Sequence, residues 1–183
     1  DDRVAGIKQL ASTYRGMDLE RVGIFGPEGD TNIIFAQIDH SDFYKVCVIC
    51  FFSDPRLGLP IFCETFGGVP VPGEKDSEAR HAVDCVSSLK GKLLLIEGMN
   101  NSWGATFRLT DALVKANKSF DMLPITRGIQ DPTGYIMKRC WDYMVEHLLG
   151  EEPPEEFVLR TGIELVHDRL LADSEKRKAS EVA

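Results

Sequence analysis

The sequence predicts an α/β domain, a mostly parallel sheet with helices on both faces. Three observations carry that prediction. Four short apolar, β-prone runs are separated by segments with helical spacing. The runs are continuously apolar, as strands buried on both faces require. Glycine and proline punctuate the junctions. At 183 residues the chain suits one medium domain with a substantial core.

Taken in order, Val4, Ile7, Leu10 and Ala11 predict an amphipathic helix over 3–14, ended near Gly16. Residues 21–25 read as a short buried strand, 26–30 as a sharp turn, and 31–40 as a helix. Residues 45–52 form the next strand. Residues 53–90 carry Pro55, Pro60, Gly67, Gly68, Pro70, Pro72 and Gly73 and read as a long excursion, with one helix near 77–88. A third strand is expected over 92–96, a helix over 107–116, and a fourth strand over 120–125. A strong helix over 135–149 is stopped by Gly150. Past Glu151-Glu-Pro-Pro154, Ile163, Val166, Leu170 and Leu171 share one helical face, expected to dock on its own domain, and the tail beyond Ala172 is polar. The division is therefore 1–157 for the α/β domain and 158–183 for a C-terminal amphipathic helix and tail. The sequence shows no internal repeat.

Composition narrows the function. Lys+Arg 21 against Asp+Glu 29 gives a net charge of −8, which argues against nucleic acid or an anionic membrane as partner. Hydrophobic residues at 43% and charged residues at 27% exclude disordered and collagen-like classes. The longest apolar run, Val46 to Phe52, is far short of the ~20 residues that span a bilayer. The chain opens at Asp1-Asp2-Arg3 without Met or a signal-like segment and is read as a processed or excised piece. Five scattered cysteines, Cys47, Cys50, Cys63, Cys85 and Cys140, do not form a disulfide framework, so a cytoplasmic setting is expected. Cys47 and Cys50 have a C-x-x-C spacing, but in a strand residues three apart point to opposite faces, so their sulfurs diverge. No metal or cofactor is expected. Two N-x-S sequons, Asn100-Asn-Ser102 and Asn117-Lys-Ser119, are read as chance.

The run Gly26-Pro27-Glu28-Gly29-Asp30, between a strand and a helix, has the layout of a nucleophile elbow, G-x-S-x-G, with Glu28 at the centre and Asp30 in place of the last glycine. In this order and spacing, Asp18-Leu-Glu-Arg-Val-Gly-Ile-Phe-Gly26, Asp42-Phe-Tyr-Lys-Val46, Leu89-Lys-Gly-Lys-Leu-Leu-Leu-Ile96, Leu109-Thr-Asp-Ala-Leu-Val-Lys-Ala-Asn117, Phe120-Asp-Met-Leu-Pro124 and the stretch from Trp141 to Pro154 complete the pattern. Together they resemble the catalytic domain of the prolyl oligopeptidase/dipeptidyl peptidase IV family, over about Val4 to Phe157. The resemblance implies an α/β-hydrolase fold and, in active members, serine-type peptidase or esterase chemistry.

Carried across by position, the resemblance puts the nucleophilic serine on Glu28, the triad aspartate on Asn100 or Asn101, and the triad histidine on Arg127 or its neighbour Gly128. A triad needs a nucleophile, a base to take its proton, and a carboxylate to fix the base's tautomer. None of these roles is filled, which excludes the standard serine-hydrolase mechanism. In the family, earlier strands and a side-chain oxyanion donor precede the helix with which this sequence begins. The chain therefore corresponds to the C-terminal part of the full fold. The Gly29 N–H remains as one oxyanion donor, and another segment, chain or symmetry mate is expected to complete the sheet.

Glu28 admits three roles: a covalent nucleophile, which lacks its histidine; a general base held ionised at a helix N-terminus; or a plain helix cap. Arg127 is placed to pair with Glu28 or to clamp an anion. Trp103, in the altered aspartate loop, lines either an apolar pocket or the core. The histidines His40, His81, His147 and His167 read as surface residues. Gly29, Trp103 and Arg127 are thus the candidate ligand-binding residues. The leading reading is a degenerate hydrolase domain that binds a small ligand or a protein partner in its old cleft, with homo-oligomerisation open. The alternative is a recruited lyase, isomerase or cyclase acting on a small apolar substrate with Glu28 as acid/base. A third reading makes the chain one fragment of a larger hydrolase assembly.

Overall fold

In a computed structural model of the chain, the described residues are 2–26, 31–52, 82–98, 103–126, 134–159, 162, 164 and 166–171. They form a four-stranded sheet in the order β1-β2-β3-β4, parallel throughout. The elements run α1 (Asp2–Thr13), β1 (Val22–Gly26), α2 (Thr31–Asp39), β2 (Tyr44–Cys50), α3 (Ala82–Cys85) with a tighter turn at Val86–Ser88, β3 (Lys92–Gly98), α4 (Trp103–Lys115), β4 (Asp121–Ile125) and α5 (Tyr135–Met144). A wider π-type turn, Val145–Leu149, continues α5 up to Gly150. Strand order equals chain order because each connection returns to the same edge before the next strand is laid down.

The two central strands are buried on both faces, as their unbroken apolar runs foretold. Along β2, Val46, Val48 and Cys50 face α5, while Cys47 and Ile49 face the opposite way. The expectation that the two sulfurs of the C-x-x-C spacing diverge is therefore met. Along β3, Leu94 and Ile96 face α5, and Leu93 and Leu95 face the other layer. That other layer is made of Ile33, Ile34 and Ile38 from α2, Ala82 and Val86 around α3, and Ala105, Leu109 and Leu113 from α4. Burying a side chain of this kind is worth about 1.5–3 kcal/mol, so the two central strands anchor the domain.

The ends of the elements are set by local polar contacts. Before β1, Asp18 accepts from the Glu20 N–H (2.9 Å) and from Arg21 Nε (2.6 Å), turning the chain into the strand. At the amino-terminal ends of the strands, Gln37 Nε2 donates to the carbonyls of Lys90 (3.2 Å) and Lys92 (3.0 Å). Its buried Oε1 has no partner among the described residues. Gly91, at φ 81°, lies where a Cβ would come within 2.4 Å of the Lys45 carbonyl, so only glycine passes there.

Three expectations change. The helix over 107–116 begins earlier, at Trp103, and the face it turns to the sheet is Ala105, Leu109 and Leu113, while Phe107 is exposed. Spacing of four residues from Ala105 selects that face. Trp103 accordingly opens a helix instead of lying in a loop; its side chain lies outside what is described. The described part of the C-terminal stripe is not covered by the domain: residues 166–171 are helical, yet Val166, Leu170 and Leu171 are 59%, 65% and 51% exposed, and Ile163 lies outside the described residues. The sheet faces beside the central strands are already taken by α2 to α5.

Candidate functional site

All four strands point the same way, so Gly26, Cys50, Gly98 and Ile125 end at one edge, where open α/β sheets present their ligand sites. The predicted site residues attach at this edge. Residues 27–30 join β1 to α2, residues 99–102 join β3 to α4, and residues 127–133 lie between β4 and α5. Glu28, Gly29, Asn100, Asn101, Arg127 and Gly128 themselves lie outside the described residues. The topology nonetheless fixes their anchors. β3 and β4 are neighbours, about 5 Å apart, and β1 stands about 10 Å from β3 with β2 between.

The end of β1 is set by close packing. A Cβ on Gly26 would lie 2.8 Å from Ile33 Cγ1, so the first glycine of the run is what lets α2 pack directly over the end of β1. At the end of β2, Phe51 adopts φ 58°, a left-handed conformation unusual for a bulky residue, while its N–H donates to the Ile96 carbonyl at 2.8 Å. That bond extends the β2–β3 ladder one residue past the strand.

Two features of this edge escaped sequence reasoning. Glu97, the last residue before Gly98, is fully buried, and its Oε2 accepts a 2.6 Å hydrogen bond from Thr106 Oγ1 on α4. Strand alternation turns Glu97 to the α4 side, and Thr106, in the first turn of that helix, is fully buried as well. The pair ties the helix start to the strand end with a buried hydrogen bond. A single acidic residue closing an otherwise apolar run was the available signal. The second feature is a sulfur pair on the opposite face: Cys50 Sγ and Cys140 Sγ are 3.8 Å apart, both buried. No sequence signal links positions ninety residues apart.

The remaining polar groups of this layer are structural. Tyr143 donates its O–H to Asp121 Oδ2 (2.8 Å), and burial, then that bond, push its phenol well above the usual tyrosine range. Asp142 accepts from Lys138 Nζ at 2.8 Å, an ion pair internal to α5. His147 is half-buried, edge-on to the Tyr143 ring at 4.2 Å, rather than a free surface group. Among the described residues no cluster of three or more His, Cys, Asp or Glu side chains is arranged to hold a metal ion. Nor is any helix among them long and apolar enough to cross a membrane.

This geometry, a parallel sheet covered by helices on both faces, is that of an α/β-hydrolase-like fold. No protein-family model matches the chain. Dipeptidyl peptidase 8 of Mus musculus is 32% identical over 135 residues, which are 67% of this chain and 15% of that protein. The Homo sapiens protein of the same name matches equally, at 14% of its length, so the chain spans about a seventh of these relatives. Among solved structures, a putative dipeptidyl aminopeptidase IV from Bacteroides ovatus superposes with a TM-score of 0.70 at 18% identity, covering 80% of this chain and 22% of that one. Porphyromonas gingivalis dipeptidyl peptidase 4 gives 0.66 at 26% identity, covering 81% and 22%. Pyrococcus horikoshii acylaminoacyl peptidase gives 0.64 at 20%, covering 85% and 28%. The chain is related to the peptidase domain of the prolyl oligopeptidase/dipeptidyl peptidase IV family.

Proposed function

We propose that this chain is a hydrolase-family domain that has lost serine peptidase chemistry and binds a small ligand or a protein partner through the remaining cleft. One observation carries the reading. The connection between β1 and α2 is Pro27-Glu-Gly-Asp30, with a carboxylate at the position where the family resemblance requires an attacking hydroxyl. The other two roles fail with it, because Asn100 or Asn101 cannot fix a histidine tautomer and Arg127 cannot accept the nucleophile's proton. A cleft stripped of its reactive groups keeps its shape and its apolar walls. Glu28 and Arg127 then serve as a static charge pair or as a clamp for an anionic group, beside Gly29 and Trp103.

Labelling with a fluorophosphonate probe tests the loss of serine chemistry. The expected result is no covalent adduct under conditions that label an active family member; an adduct on a serine overturns the reading. Glu28→Gln separates binding from catalysis. Ligand affinity changes little if Glu28 only lines the site, whereas turnover that vanishes in the variant installs the alternative, a recruited lyase, isomerase or cyclase with Glu28 as its base.

A second reading rests on the outer edge of β1. Among the described residues Val22–Gly26 pairs with β2 on one side only, and it carries neither charge nor proline, the usual guards of an exposed edge. We propose that a strand from another segment or chain adds here and completes the sheet. Solution mass measured alone and with upstream polypeptide checks it: a stable complex supports the addition, and a monomer indifferent to that polypeptide overturns it.

A further inference from the structure

We propose that Cys50 and Cys140 form a reversible oxidation site, in which a disulfide joins the carboxyl end of β2 to helix α5. The two sulfurs lie 3.8 Å apart in one buried layer, between Val48 and Ile96 on the sheet and Tyr143 on the helix. Closing them to the about 2.0 Å of a disulfide is a movement on the scale of a side-chain rotation, with no need to separate strand from helix. The other described cysteines are placed differently. Cys47 faces the opposite side of the sheet, and Cys85 lies on α3 in that same opposite layer.

The pair is also chemically asymmetric. A hydrogen bond in which either sulfur can donate joins the pair; it holds the Cys140 thiol below the ordinary cysteine range, against the effect of burial, while the bond and burial push Cys50 upward. Cys140 is thus the first nucleophile and Cys50 the resolving thiol. With a peroxide as oxidant, the Cys140 sulfur attacks one oxygen, the O–O bond breaks, and the Cys140 proton leaves in the first water. The Cys50 sulfur then attacks the resulting sulfenic acid; the S–S bond forms, the S–O bond breaks, and the second water carries off the Cys50 proton. Two thiols lose two electrons and the peroxide is reduced to two waters.

Burial makes the reaction depend on local opening. Both flanks depart from regular geometry: Phe51, next to Cys50, has φ 58°, and the turn after Met144 widens to π-type. Opening at these points admits a small peroxide without global unfolding.

The test exposes the folded chain to hydrogen peroxide, alkylates the remaining thiols after denaturation, and maps the peptides by mass spectrometry. The expected product is one linked pair containing Cys50 and Cys140, lighter by two hydrogens, absent in Cys140→Ser and in Cys50→Ser, and reversed by dithiothreitol. Its formation raises the thermal midpoint by several degrees, because the link closes a loop of ninety residues. Unlinked Cys50 and Cys140 after treatment overturn the proposal, as does linkage to Cys47 or Cys85 at comparable yield. Linkage that forms only in denaturant overturns it too, which keeps the test decisive where a serine variant folds poorly.

Discussion

On one face of the sheet, α2, α3 and α4 lay Ile33, Ile34, Ile38, Val86, Leu109 and Leu113 against Cys47, Ile49, Leu93 and Leu95. On the other, α5 and its π-type extension bring Cys140, Tyr143, Met144 and Leu148 over Val46, Val48, Leu94 and Ile96. The first layer is mostly aliphatic and held mainly by area, a non-directional force that three helices share, with the Glu97–Thr106 and Gln37 hydrogen bonds at its ends. The second mixes sulfur, a phenol and an ion pair, so a single helix is fixed by directional bonds: Tyr143 to Asp121 at its side and Asp142 to Lys138 along its length. A layer held by area tolerates adjustment, whereas one held by a few bonds can be switched by changing one of them.

That contrast can be broken by experiment. Leu109→Ala removes a fully buried side chain from the aliphatic layer and should cost about 2–5 kcal/mol in urea unfolding. A cost under about 1 kcal/mol would mean that the three helices do not act as one layer. Thr106→Val keeps shape but takes the hydroxyl from buried Glu97, and should cost about 1–3 kcal/mol while loosening the first turn of α4 in hydrogen exchange.

On the second face, Tyr143→Phe should cost about 1–2 kcal/mol at neutral pH through the lost bond to Asp121. The folded-state pKa of Tyr143 is raised above its unfolded value near 10, so its contribution is complete below about pH 10 and declines as pH rises beyond that. The gap between wild type and variant should therefore narrow in alkaline denaturation; a gap that widens would reverse the assignment. The smallest effect belongs outside both layers. Val114→Thr, on the exposed side of α4, should stay within about 0.5 kcal/mol of wild type, and a larger loss would reveal a contact covering that side.

Much of this architecture was legible because burial on both faces leaves a direct trace. Tyr44–Cys50 and Lys92–Gly98 are strands whose apolar runs could hardly serve another role, and Gly26 and Gly91 mark places where a side chain would collide. Helix α4 was legible over 107–116 but not in its start at Trp103, and the stripe from Ala105 is the one that reaches the sheet. The apolar C-terminal residues likewise suggested docking, which requires a vacant surface as well as a hydrophobic stripe. At the candidate site, Glu28, Asn100 or Asn101, and Arg127 or Gly128 were assigned through the family resemblance, and they lie outside the described residues.

Amino-acid order alone determined the class of the fold, the parallel sense of its sheet and the identity of the residues between strand and helix at position 28. Periodicity and local turn chemistry act over a few residues and are written in sequence. Only tertiary structure decided that Glu97 meets Thr106, that Tyr143 meets Asp121 and that Cys50 faces Cys140 across ninety positions. Those contacts depend on which strands become neighbours and which helix covers them, and that choice is made by the packing of the whole sheet.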